Sequence, residues 1–382
     1  MKAIYLDHNA TTPLDPAVVQ AMQPFLREHF GNPSSAHAYG RIAREAVERA
    51  RAQVADLLGA RPAEIVFTSG GSEASNLALK GLVLPALMKS AADIHLITSA
   101  VEHPATLEPC AFLERLGCRV TVLPVNRYGL VDLDALRNAL RRPTLLVSIM
   151  HANNEVGTLE PIREIAALAH THGALVHTDA AQSAGKIPVS VDELGVDLLS
   201  LAGHKLYAPK GVGALYVRQG LTLEPLIHGA GHEGGRRAGT ENVPYLVGLG
   251  AACEIARHSL PVATETLRRL RDRLWDRLRE GLGDALVLNG HPERRLPNTL
   301  NVNFIGHVGA DLLEAVPEIA ASTGAACHEG QIHLSPVLRA MGVPAEQARG
   351  AVRLSVGRFT TETEVDRAAE LLVTRARAMA VK

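Results

Sequence analysis

The chain has 382 residues, room for two or three domains with sizeable buried cores, which excludes a small disulfide-stapled scaffold. Apolar residues make up 47% and charged ones 21%, and a formal charge of −1 leaves no net basic field for nucleic acid or a membrane surface. Only seven lysines and four cysteines are present, so chemistry that needs an amine or a thiol has few candidates.

Met1 to Pro16 has no charged segment followed by an apolar core, and no stretch approaches the ~18 apolar residues of a membrane span. A cytoplasmic location is therefore expected. From Glu64 to Val217, short apolar runs alternate with helical patterns, the signature of an α/β domain with a mostly parallel sheet. Seven strands are predicted: Ile65–Thr68, Ile94–Ser99, Val120–Leu123, Leu145–Met150, Leu175–Asp179, Leu198–Ala202 and Ala214–Val217. Helices are predicted over Ser72–Met88, Ala105–Leu116, Leu133–Leu140 and Ile162–His172. A long helix over Val243–Leu278 then leads to strands at Asn298–Val302 and Ala351–Ser355 and a closing helix, Thr361–Val381, as in a smaller α+β domain. The expected division is a large domain over 16–255 and a small one over 1–15 and 256–382, joined by the long helix.

The cysteines, Cys110, Cys118, Cys253 and Cys327, form no Cys-x-x-Cys pair, and three are expected as buried small hydrophobes. His228 and His232 have the spacing of helical metal ligands, but the glycines around them argue against a helix, and no metal site is expected.

A parallel sheet places its ligand beyond the carboxyl ends of its strands, so the loops there carry the functional reading. The first, Thr68 to Glu73, runs straight into a helix, whose free N–H groups suit phosphate; Gly71 and Ser72 stand there, Ser72 otherwise serving as a helix cap. Other strands end in Glu102-His103-Pro104, in His151 to Glu155, in Asp179-Ala180-Ala181-Gln182 and in Gly203-His204-Lys205. An imidazole, an aspartate and a scarce lysine converging on a helix N-terminus form the set that pyridoxal phosphate requires. The amine holds the aldehyde, the carboxylate keeps the ring nitrogen protonated, and a flat group covers the ring.

Six segments carry a closer likeness: Tyr5 to Pro13, Phe30 to Ser35, Ser200 to Lys205, Gly229 to Thr240, Gly324 to Cys327 and Arg353 to Arg358. In order and nearly over the whole chain, they resemble the cysteine desulfurases, within class V of the fold-type I pyridoxal phosphate enzymes. The resemblance implies that Lys205 anchors the cofactor and that His103 stacks on it and carries protons. It further implies that Asp179 pairs with the ring nitrogen, Gln182 contacts the phenolic oxygen, and Ser72 and His204 hold the phosphate, with Gly71 and Asn154 also among the cofactor-binding residues. Thr240 would reach that phosphate from the second subunit of a homodimer. Arg353, assisted by Asn154, would clamp the carboxylate of L-cysteine. Cys327 would accept the sulfur as a persulfide for an acceptor protein such as an iron–sulfur scaffold. One departure stands out: Ala202 replaces a serine frequent in this family, which implies weaker cofactor retention. Ser322 to Pro336 shows no clean period and reads as an exposed loop carrying Cys327. The same motifs resemble selenocysteine lyases, and a class-V transaminase or lyase with an incidental Cys327 is a further alternative.

Overall fold

The structure, a computed structural model, describes residues 3–89, 93–140, 143–323, 325–328 and 331–380, with only the backbone described at 325–328, 331–333 and 380. Two helices precede the region where the strand pattern begins, and the sequence reading placed no element there. They are α1 (Pro16–Arg27), capped by the Asp15 side chain with proline in its first turn, and α2 (Ala38–Leu58), ended by left-handed Gly59.

The strands β1 (Ile65–Thr68), β2 (His95–Ser99), β3 (Arg119–Leu123), β4 (Thr144–Ser148), β5 (Leu175–Asp179), β6 (Leu198–Ala202) and β7 (Gly213–Val217) form one sheet of seven in the order β1-β7-β6-β5-β4-β2-β3. Only β7 runs antiparallel to its neighbours. The central strands are buried on both faces, which is why they read as continuous apolar runs rather than alternating ones. Helices α3 (Gly71–Lys89), α4 (Pro104–Arg115), α5 (Leu133–Ala139) and α6 (Ile162–Thr171) follow β1, β2, β3 and β4. Two apolar clusters fill the two faces, one of them containing buried Cys110 and Cys118 and the other buried Cys253.

Helix α7 (Val243–Leu282) is 40 residues long. Leu246, Leu249 and Cys253 in its first half belong to the large-sheet core, whereas Leu267, Leu270, Leu274 and Leu278 belong to a second core. That core lies under an antiparallel sheet of four, β8 (Leu286–Leu288), β9 (Thr299–Phe304), β10 (Ser322–Thr323) and β13 (Ala351–Ser355), in the order β10-β13-β9-β8, with helix α8 (Glu362–Ala380) against it. One continuous helix thus shares its apolar face between both cores, which fixes one sheet relative to the other.

Between β10 and β13, Ala325–His328 (β11) pairs antiparallel with Gln331–Leu334 (β12), with Cys327 opposite Ile332. The aperiodic loop expected here is therefore a hairpin in its backbone. Its composition hid it: a strand of two alanines, a cysteine and a histidine lacks the β-branched residues that mark strands. The side chain of Cys327 lies outside the described residues. Among the described residues, no helix is long and apolar enough to cross a membrane.

Candidate active site

Five loops at the carboxyl edge of the large sheet meet around a cavity of about 450 Å³, within the usual ~300–1,000 Å³ of small-molecule sites. Gly71, Ser72, His103, Asn154, Asp179, Gln182, His204, Lys205 and Arg353 all line it, together with Asn9 and Ala10 from the N-terminal segment. Of the residues singled out from sequence, Thr240 is exposed and does not line this cavity.

Helix α3 starts at Gly71, so Ser72 stands inside the first turn rather than capping it. Gly70 before it has φ +154°, a conformation that side chains disfavour, and this turn aims the helix terminus at the cavity. His103 caps α4: its Nδ1 accepts the Ala105 N–H at 3.1 Å. The neutral ring therefore carries its proton on Nε2. Burial, then Lys205, push its pKa down, while Asp179 pulls it up. Asp179 ends β5, and its Oδ1 accepts the Ala181 N–H at 2.8 Å. Burial pushes its carboxyl up, opposed by that hydrogen bond and by His103 and Lys205.

Lys205 closes a tight turn after β6, and its Nζ donates to the carbonyls of Asn9 at 2.6 Å and Ala10 at 2.7 Å. Burial, then the charge of Arg353, lower its pKa to about 8. His204 Nδ1 lies 3.2 Å from Thr11 Oγ1, and burial holds its imidazole near 4, neutral. Ala202 also lines the cavity, and a Cβ on Gly71 would come within 3.1 Å of its methyl. The start of the helix at Gly71 is thus packed closely against the end of β6.

Arg353, on β13, reaches the cavity from the small sheet. Its Nη1 donates to Asn154 O at 3.1 Å, and its Nη2 donates to Asp7 Oδ1 at 2.8 Å and Ser322 Oγ at 2.9 Å. Its buried Nε has no partner among the described residues. The guanidinium already holds one carboxylate and lines the cavity, where it can meet another.

Sequence reasoning gave Asn9 no role, yet it is where the segments meet. Its carbonyl accepts from Lys205 and from Gln182 Nε2, at 2.9 Å for the latter. Its side chain donates to Thr299 Oγ1 and Asn154 O and accepts from Asn298. The polar run Asp7-His8-Asn9 beside two threonines was the available signal. Glu102 was also passed over. It is buried, accepts from Ser99 Oγ at 2.6 Å and Met150 N at 3.0 Å, and ties the loop of His103 to the end of β4.

This arrangement, an amine, a carboxyl and an imidazole at a parallel sheet's carboxyl edge beside a helix N-terminus, defines an α/β enzyme of the fold-type I kind. The aminotransferase class-V profile matches residues 4–368, and the chain belongs to that family, on its cysteine desulfurase branch. It is 48% identical over 373 residues to cysteine desulfurase IscS of Dictyoglomus turgidum, covering 97% of this chain and 94% of that one. A solved NifS-like protein superposes with a TM-score of 0.91 at 40% identity, covering 100% of both chains. A structure of SspA in complex with cysteine superposes with a TM-score of 0.81 at 38% identity, covering 94% of this chain and 99% of that one.

Proposed function

We propose that this chain is a pyridoxal phosphate-dependent cysteine desulfurase that converts L-cysteine to L-alanine and retains the sulfur on Cys327 as a persulfide. The observation that carries the reading is the convergence of Lys205, Asp179, His103 and Arg353 on one cavity. The donor set fits the cofactor. A half-buried amine with a pKa near 8 suits its aldehyde, a buried carboxyl suits its ring nitrogen, and a helix terminus beside Ser72 and His204 suits its phosphate. When bound, the cofactor supplies an electron sink for the bonds at the substrate α-carbon.

The chain's own residues divide the remaining work. Arg353, with Asn154, binds the substrate carboxylate. Lys205, its pKa lowered by burial to about 8, gives and takes a proton at the α-carbon. His103, held neutral by burial, covers the cavity and carries a proton at Nε2. Gln182 offers a donor to the phenolic oxygen. The Cys327 thiolate attacks the substrate sulfur: the substrate C–S bond breaks, an S–S bond forms, and the carbon takes up a proton to become the methyl group of alanine.

The same reading includes a homodimer in which Thr240 of each copy completes the phosphate end of the other's cavity. It includes a cytoplasmic setting, a division into domains at 16–255 and at 1–15 with 256–382, and a protein acceptor of the sulfur such as an iron–sulfur scaffold. Nothing in the site favours selenocysteine over cysteine, and the lyase reading is not carried further. The test is to titrate purified protein with pyridoxal phosphate and then supply L-cysteine or L-selenocysteine. A visible absorbance band and alanine from L-cysteine are expected. The absence of any band, or alanine from selenocysteine alone, would overturn the reading.

A further inference from the structure

The steps above leave one buried amine unused. Lys186 is 6% exposed and sits four residues after Gln182, in a turn that Gly185 makes with φ +73°. A Cβ on Gly185 would lie 2.3 Å from the Leu206 side chain, so the backbone there is pressed against the turn that carries Lys205. Lysine is almost never fully buried unless paired. Here the groups that act on its charge are cations: burial, then Lys205 and Arg353, push its pKa down to about 7. Its Nζ instead donates to Gln182 Oε1 at 3.0 Å.

The other end of that carboxamide donates through Nε2 to Asn9 O at 2.9 Å, the carbonyl that also accepts from Lys205. A chain of hydrogen bonds therefore joins the two amines through the wall of the cavity. A carboxamide has two ends of nearly equal shape, and turning it over exchanges an acceptor for donors. With Lys186 in place, the oxygen is held at the buried end and the N–H groups face the Asn9 side. Without it, the oxygen is buried with no donor.

We propose that Lys186 is a positioning residue, which fixes the carboxamide of Gln182 so that its N–H donors are presented to the cofactor cavity. The inference rests on the pyridoxal phosphate reading of that cavity. It explains why an amine is buried four residues after Gln182, where an apolar residue would pack at no electrostatic cost.

The test is a double-mutant cycle on the full-length protein, with pyridoxal phosphate affinity and the wavelength of its visible band as readouts and melting temperature as the control. Lys186→Met is expected to weaken affinity about tenfold, as for loss of one charge-assisted hydrogen bond, and to move the band. Lys186→Gln, which keeps an N–H donor, is expected to stay within about threefold of wild type on the same scale. In a Gln182→Ala background, Lys186→Met is expected to add less than about a twofold loss. Wild-type affinity and an unmoved band in Lys186→Met, with only a lower melting temperature, would reduce Lys186 to a structural role and overturn the proposal. Equal losses with and without Gln182 would overturn it as well. Failure of the wild-type protein to bind pyridoxal phosphate is a different result: it would refute the cofactor reading first, and this proposal with it.

Discussion

The two sheets contribute to the cavity in different ways. The large sheet presents His103, Asp179 and Lys205 from strand ends: His103 is fixed by Ala105 and Asp179 by Ala181, while Lys205 stands in the turn that begins at Gly203 with its amine held by the carbonyls of Asn9 and Ala10. The small sheet presents Arg353, which is held by partners remote in the chain, Asp7 and Asn154. Ser322 joins them, donating to Asp7 Oδ1 at 2.9 Å while it accepts from Arg353. It is paired directly opposite Arg353 on β10, five residues before Cys327. His103 and Asp179 are set by local backbone, Lys205 by its local turn together with the carbonyls of Asn9 and Ala10, and Arg353 by a network that assembles only when both sheets are in place. The large-sheet groups are expected to govern the chemical step and Arg353 with its network the grip on substrate.

Substitutions should separate these roles. Lys205→Ala is expected to lower kcat on the order of 10³-fold or more in an alanine-release assay, because it removes both the anchor and the proton carrier. Arg353→Lys is expected to lower kcat/KM by roughly 10- to 100-fold, mostly through KM, since a point charge replaces a planar fork. A fall in kcat with KM unchanged would erase the proposed division. Ser322→Ala is expected to raise KM by roughly two- to tenfold, the worth of one hydrogen bond, with kcat preserved.

The smallest effect concerns stability. Burial pushes the carboxyls of Glu102 and Glu160 up to about 8, and Glu160 Oε1 has no partner among the described residues. Between the ordinary carboxylate range and about 8, the folded state holds a proton that the unfolded chain has lost, so their contribution to stability falls as pH rises. Buried His151 and His177, pushed down to about 4 and about 3, act in the opposite sense, so the difference from wild type is the useful measure. Glu160→Gln is expected to gain melting temperature relative to wild type between about pH 5 and about pH 8. A constant difference across that range would mean that Glu160 is ionised in the folded protein.

The same contrast explains what could be read from sequence. The seven strands were legible because buried parallel strands leave apolar runs, and the loops after them because polar groups at strand ends stand out. Helices α1 and α2 lie before that pattern begins, and only the Asp15-Pro16 cap and the glycine at 59 announced them. Asn9 and Asp7 were not assigned because their partners, Thr299 and Arg353, are about 300 residues away, and no local spacing encodes such a pairing. Lys186 was hidden for another reason. Its spacing from Gln182 was visible, but burial without a counter-charge among the described residues is a property of the folded chain alone.

The central claim is that the sulfur of L-cysteine is kept on one thiol. The direct measurement is mass spectrometry of the intact protein and its Cys327 peptide after one equivalent of L-cysteine, with alanine quantified in parallel. The account expects one sulfur atom added at Cys327 for each alanine formed, and neither added sulfur nor alanine turnover in Cys327→Ser. Undiminished alanine formation in Cys327→Ser, with the sulfur released as zero-valent sulfur and none retained on the protein, would contradict it.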